Sequence, residues 1–227
     1  MSLGRGWFIT GTDTGVGKTH IACALMRALA LRGNSVAGMK PVASGCHATS
    51  TGLRSADAEA LLGETSIAVN YEETNPYAFA PATAPHLAAA ASGIEVRIDT
   101  IASCYATLAS RAQCVVVEGI GGWLVPIGPQ MTMADVAGAL DLPVILVVGV
   151  RLGALNHALL TVRAINACGM RLAAWVANRI DPDPLLDGYL QALRERIGAP
   201  LLGAIPYSRE ANAMDNQSHL DLAPLLP

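Results

Sequence analysis

Aromatic side chains make up only 4% of this 227-residue chain. Aliphatic residues and alanine must therefore fill its core, and hydrophobic residues do reach 52%. Charge is scarce as well, at 15% charged residues with a net charge of −3. That balance excludes a disordered chain, which needs low hydrophobicity and high charge. No basic run exists that would follow a phosphate backbone, so nucleic acid is not an expected partner. Apolar runs such as Leu142–Val150 fall short of the roughly 20 residues that span a bilayer, and no membrane association is expected. Met1–Gly6 lacks the apolar stretch of a secretory signal. The cysteines are Cys23, Cys46, Cys104, Cys114 and Cys168, with no Cys-x-x-Cys pair. An odd, scattered set without a secretion signal reads as free thiols in a reducing cytoplasm. Repeats and low-complexity linkers are also missing, and the length suits one domain over residues 1–227.

What is present is an alternation of short apolar runs with longer Ala/Leu-rich segments. Trp7–Thr10 reads as a first strand and Lys18–Leu31 as a helix that Gly33 ends. Ser35–Met39 is a second strand, stopped by Pro41. Cys114–Glu118 is a strong buried strand, and Pro143–Val148 is another. A helix from about Ala154 to Cys168 follows. Leu172–Ala177 and Leu201–Ile205 read as the last strands, with a helix near Leu185–Ile197 between them. Continuous apolar strands separated by helices predict an α/β fold, a doubly wound and mainly parallel sheet covered on both faces. Gly63–Gly93 is less regular: Asn75–Pro81 reads as an ordered loop, then Ala84–Leu87 as a helix start with Pro85 in its first turn. In doubly wound sheets ligands bind beyond the carboxyl ends of strands, so the residues just after each strand matter most.

Gly11-Thr12-Asp13-Thr14-Gly15-Val16-Gly17-Lys18-Thr19 leaves the first strand and opens the first helix, the context that a phosphate-binding P-loop requires. Glycines let backbone N–H groups approach phosphate oxygens, and the helix N-terminus adds positive partial charge. Lys18 can reach the β- and γ-phosphates, and the Thr19 hydroxyl can hold magnesium. The usual pattern has a glycine where Thr12 stands. Asp13 serves either turn geometry or chemistry.

Glu118 closes the Val115-Val116-Val117 strand and precedes Gly119-Ile120-Gly121-Gly122. A carboxylate there, beside a P-loop, is placed as a magnesium ligand, although such strands usually offer Asp. By spacing alone, Asp57 is an acid in a helix's first turn. Asp135 reads as a solvated helix face. Lys40 ends the second strand and leads into Pro41-Val42-Ala43-Ser44-Gly45, which puts a lysine at the crevice and a hydroxyl in the loop after it. Asn178 ends a strand and is either a turn residue or a partner for adenine N6 and N7.

Together, Gly11–Thr19, Lys40–Gly45, Asn75-Pro76-Tyr77, Val117-Glu118-Gly119, Gly121-Gly122-Trp123, Pro143–Val150 and Val176-Ala177-Asn178 resemble the dethiobiotin synthetases. The resemblance runs from about Trp7 to Tyr207. It implies a P-loop NTPase-type fold and a ligase that uses ATP and Mg2+ to close a ureido ring on 7,8-diaminopelargonic acid with carbon dioxide. It implies Thr19, Asp57 and Glu118 as magnesium ligands, and Lys18 and Lys40 as the cations where an anionic carbamate meets a phosphate. Thr14, Gly15, Val16, Gly17, Gly119 and Gly121 would surround the nucleotide. Asn178, Arg179, Pro206, Tyr207 and Ser208 would take its base end. Ser44 would contact the reacting end of the substrate. The family's members are homodimers, and Gly153, Asn156 and Tyr189 match positions near the substrate's carboxylate tail. The chain departs from the family around Phe79–His86, where the first proline, Pro81, falls one residue early and Ala84 replaces a common serine. No histidine base is required, so His47, His86 and His157 read as structural.

Two other classes share the fold. Regulatory ATPases with a deviant phosphate loop carry a lysine where Asp13 stands, and Asp221–Pro227 offers no amphipathic membrane helix. Amidoligases acting on a cobalamin precursor carry a glutaminase domain, for which this chain is too short.

Overall fold

The computed structural model describes residues 5–183, 186–208 and 216–225. Strand β1 (Arg5–Gly11) leads through the P-loop into α1 (Lys18–Ala30), and β2 (Val36–Met39) follows. A smaller layer comes next: β3 (Val42–Ser44), β4 (His47–Thr49), β5 (Gly52–Arg54), α2 (Ala56–Glu64), α3 (Tyr71–Thr74), β6 (Tyr77–Phe79) and α4 (Pro85–Ala91). The chain then continues through α5 (Ile98–Ala109), β7 (Cys114–Glu118), α6 (Met133–Ala139), β8 (Val144–Val150) and α7 (Ala154–Ala167). It finishes with β9 (Leu172–Arg179), α8 (Asp187–Arg194) and β10 (Leu201–Ile205), followed by two short 3-10 turns.

The central sheet has the order β10-β9-β8-β1-β7-β2, and every neighbouring pair is parallel. Parallel strands need crossovers, and the crossover helices cover both faces, so the strands can be apolar throughout. Every residue of β7 and β8 is buried. Side chains alternate between the faces: Trp7 and Ile9 pack with Ile21, Leu25 and Met26 of α1, while Phe8 packs with α5 and α6 on the other side. The winding reverses at β1, whose neighbours β7 and β8 both follow it by over 100 residues. A crevice therefore opens beyond the carboxyl ends of β1, β2 and β7.

The expected strands and helices are present, with ends shifted by a few residues. The helix expected near Leu185–Ile197 is the shorter α8, and Leu185 lies outside the described residues. The irregular stretch around Gly63–Gly93 contains α3, β6 and α4, and α4 starts at Pro85 as expected. Two small sheets were not foreseen, the parallel β3–β6 pair and the β4–β5 hairpin. At three residues per strand, neither carries a readable alternation. Asp135 is exposed in the first turn of α6, where its carboxylate accepts from the Thr132 backbone N–H. Among the described residues no helix is long and apolar enough to cross a membrane.

Candidate active site

The crevice has a volume of about 720 Å3 and brings together the P-loop, Lys40, Ser44, Asp57 and Glu118, with Gly121 on its rim. Gly15 and Gly17 adopt positive φ, 74° and 89°, which only glycine takes without strain. A Cβ on Gly17 would also come within 2.2 Å of the Asn178 amide nitrogen. α1 begins immediately at Lys18, so its unpaired N–H groups point into the crevice. The Lys18 ammonium folds back to donate to the Asp13 carbonyl at 2.9 Å. Burial, with the nearby Lys40 charge, lowers its pKa to about 8. Asp13 itself accepts from the Thr14 N–H at 2.7 Å and from Arg151 at 2.7 Å. It therefore serves turn geometry and also ties the loop to the end of β8.

Lys40, Asp57 and Glu118 form one ionic cluster, although they lie on three separate segments. The Lys40 ammonium is 2.6 Å from Glu118 Oε1 and 2.8 Å from Asp57 Oδ2, and it donates to the Gly119 carbonyl at 3.2 Å. Thr19 Oγ1 donates to the same Glu118 oxygen at 2.9 Å. Lys40 and Glu118 are 2% and 1% exposed, so solvent screens their pairing very little. Burial opposes charge on Lys40, but the two carboxylates outweigh it and hold the ammonium protonated. Burial raises the Glu118 pKa, while Lys40 and Thr19 pull it back. Asp57, half exposed, also feels a burial cost, but the Lys40 charge prevails and lowers its pKa. It does sit in the first turn of α2, so the helix-acid reading of its spacing is correct and the same residue still reaches the crevice.

A polar brace behind the cluster fixes its geometry. Asn75 donates to the Lys40 carbonyl at 2.6 Å and to the Tyr77 carbonyl at 3.2 Å. Its amide oxygen accepts from the Tyr71 hydroxyl, which in turn accepts from the Ser55 N–H at 2.7 Å. Ser55 caps α2 two residues before Asp57, so the brace connects the backbone of Lys40 to the helix that carries the acid. The sequence displays Asn75-Pro76-Tyr77 as a motif without assigning this job. A second overlooked signal is compositional. The chain has only two lysines among 227 residues, both in the crevice, against 13 arginines. Both lysines stand where a compact ammonium fits between close partners, and the basic residues elsewhere are arginines.

The remaining expected site residues are dispersed. Asn178 is buried at the end of β9 and donates to the Val16 carbonyl at 2.9 Å, behind the P-loop. Arg179 points to the opposite face, where it bonds Asp187 at 2.6 Å and lines a separate groove with Pro206. Tyr207 is exposed, as are Pro206 and Ser208. Gly153, with φ 91°, opens α7, and Asn156, the third residue of that helix, is exposed. Tyr189 packs against the α7–α8 cluster. None of Arg179, Gly153, Asn156 and Tyr189 lines the phosphate crevice. The histidines His47, His86 and His157 also stay away from its reacting centre.

A doubly wound parallel sheet, a glycine loop opening α1 and buried lysines beside it define a P-loop nucleotide-binding protein. The fold is similar to the MinD cell division protein of Aquifex aeolicus, with a TM-score of 0.59 at 14% identity over 97% of this chain and 93% of that one. It is also similar to the septum site-determining protein MinD of Pyrococcus horikoshii complexed with Mg-ADP, with a TM-score of 0.57 at 16% identity over 91% and 84%. A family model described as an AAA domain matches residues 5–215. The chain is 51% identical to the ATP-dependent dethiobiotin synthetase BioD of Pseudomonas paraeruginosa, over 96% of this chain and 97% of that protein. It is 47% identical to the same enzyme of Nitrosospira multiformis, over 98% and 97%. The chain belongs to the dethiobiotin synthetase family.

Proposed function

We propose that this protein is an ATP-dependent dethiobiotin synthetase that closes a ureido ring on 7,8-diaminopelargonic acid in biotin synthesis. The single observation that carries the chemistry is the convergence of Lys18, Lys40, Thr19, Asp57 and Glu118 at one end of a crevice. One substrate amine adds to carbon dioxide, giving a carbamate and releasing a proton. A carbamate oxygen then attacks the γ-phosphorus of ATP, and ADP leaves. The second amine attacks the carbonyl carbon of the mixed anhydride, and phosphate leaves with closure of the ring.

The phosphoryl-transfer step brings two anions together, carbamate and triphosphate, so fixed positive charge has to be in place before reaction. Lys18 and the α1 N-terminus receive the triphosphate. Lys40 faces the carbamate and the transferred phosphoryl group. Ser44 lies on the crevice wall, where a hydroxyl orients the amine end. The donor set also suits magnesium: two carboxylates and a hydroxyl, all hard oxygens, with Glu118 Oε2 buried and unpartnered. Thr19, Asp57 and Glu118 would hold that ion, which supplies charge neutralisation between the phosphates. Asn178 and Pro206–Ser208 would take the base. Gly153, Asn156 and Tyr189, away from the crevice, suit a homodimer in which they hold the substrate tail of the neighbouring subunit. The cysteines form no disulfide among the described residues, which agrees with a cytoplasmic protein.

The test is to incubate the protein with the diamine, bicarbonate, magnesium and ATP and to look for dethiobiotin by mass spectrometry. Formation of dethiobiotin with one ADP per ring is the expected result. ATP hydrolysis without ring closure would overturn the proposal in favour of a regulatory ATPase.

A further inference from the structure

We propose that Lys40 has two stations, and that in the metal-free enzyme its ammonium fills the place that the metal ion later takes. The inference rests on reading this crevice as a magnesium–ATP site. Lys40 Nζ lies 2.6 Å from Glu118 and 2.8 Å from Asp57, the two acids proposed to hold the ion. Thr19, the third proposed ligand, donates its hydroxyl hydrogen to the Glu118 oxygen that Lys40 also contacts. Both acids are therefore turned toward a cation already present, and that cation is the lysine, with the Thr19 hydroxyl on the same Glu118 oxygen.

Two acids and one ammonium leave a net charge of −1, and replacing the ammonium by a divalent ion leaves none. Holding both cations together would leave +1 in a pocket where Glu118 is 1% exposed and poorly screened. Glu118 Oε2 remains unpartnered, but an ion held there would lie beside the ammonium on the same two carboxylates, where the two positive charges repel at close range. Metal entry therefore frees the ammonium, whose side chain remains tethered at the end of β2. The crevice, lined by Lys18 and Ser44 as well, is the space open to it. The arrangement keeps two buried acids neutralised before substrate arrives, since an uncompensated buried carboxylate is strongly destabilising. It also couples metal binding to delivery of a cation to the reacting centre, so that the Lys40 ammonium is presented to substrate only in a metal-loaded site.

The two-lysine composition makes this directly observable. With lysine labelled with 15N at Nζ, the intact protein gives one side-chain ammonium resonance for Lys18 and one for Lys40. Lys40, held by three acceptors, should show a sharp resonance without metal, assigned by its loss in Lys40→Met. Saturation with magnesium and a non-hydrolysable ATP analogue should move or broaden it. A Lys40 resonance that stays unmoved while the analogue is bound overturns the proposal. As a second measurement, Mn2+ binding without nucleotide is followed by electron paramagnetic resonance. Lys40→Met should bind Mn2+ about tenfold or more tightly than the parent, because the competing charge is gone. The double variant Lys40→Met, Glu118→Gln should lose that gain. Equal Mn2+ affinity in Lys40→Met and parent rejects the two stations but leaves the metal site standing, provided ATP-dependent Mn2+ binding still requires Glu118. Loss of that requirement rejects the metal-site reading itself.

Discussion

At the phosphate end of the crevice Lys18, Lys40 and Glu118 are at most 7% exposed, and each is tied to a neighbour by at least one short polar contact. At Pro206–Ser208, the segment proposed to take the base, Tyr207 is 37% exposed and its two neighbours are exposed as well. The difference matches the role proposed for each end. Charge that develops during reaction is stabilised by groups fixed beforehand, because reorienting them in the transition state costs free energy. A purine ring brings its own apolar surface and needs only a place to lie. The phosphate end is therefore expected to govern turnover, and the base end affinity.

The largest effects should come from the two lysines. Lys18→Gln should lower turnover by about 1,000-fold or more while leaving the fold intact by circular dichroism. Near-normal turnover would remove the P-loop assignment. Lys40→Ala should abolish dethiobiotin formation to a similar degree and keep ATP affinity within a few-fold, as measured by calorimetry. Lys40→Arg should rescue poorly, because a planar guanidinium does not replace a compact ammonium between two acids. If Lys40→Ala makes product at close to the parent rate, the lysine serves stability alone and the two ends differ less than described.

A smaller effect should follow from the brace. Asn75→Ala strands the buried Lys40 carbonyl and the Tyr71 hydroxyl, which should cost about 1–3 kcal/mol in urea unfolding. Turnover should fall as well, although Asn75 does not line the crevice. A stability loss with unchanged turnover would show that the cluster keeps its geometry unaided.

pH sharpens the comparison further. Lys18 titrates at about 8 in the folded protein. In the free enzyme, kcat/KM for ATP should fall above that pH, approaching tenfold per unit. The same shift has a stability consequence of opposite sign. Between pH 8 and 10.5 the unfolded chain binds the Lys18 proton and the folded chain does not, so this contribution to stability rises with pH there. Comparing parent with Lys18→Met in denaturant titrations over that range isolates it; equal slopes would contradict the depressed pKa. The smallest effect should come from Asn178→Ala, which should raise the KM for ATP by about tenfold and change kcat little. A collapse of kcat instead would mean that its bond to Val16 shapes the P-loop, and that its role belongs to the phosphate end.

Much of this protein is written locally. β7 and β10 have the bounds read from sequence, Cys114–Glu118 and Leu201–Ile205, because a short apolar run in a chain of alternating helices has one stable use. The P-loop is equally legible, since glycine spacing and the helix start both act within nine residues. Legibility failed where elements are short. β3 to β6 have three residues each and owe their pairing to neighbours rather than to their own pattern.

Asp57 marks the boundary between the two kinds of information. Its spacing identified a helix-start acid, and only the resemblance to a family suggested anything more. The sequence by itself determined the order of strands and helices, the phosphate loop and the acid at the end of β7, because these depend on contacts and conformations local to the chain. Tertiary structure alone decided that Asp57 and Glu118 share the Lys40 ammonium, that Asn75 reaches the cap of α2, and that Asn178 finds the Val16 carbonyl while Arg179 finds Asp187. Those contacts join residues up to 162 positions apart. Their distances are set by how the sheet winds and which face a strand turns to the crevice, and no local pattern encodes either.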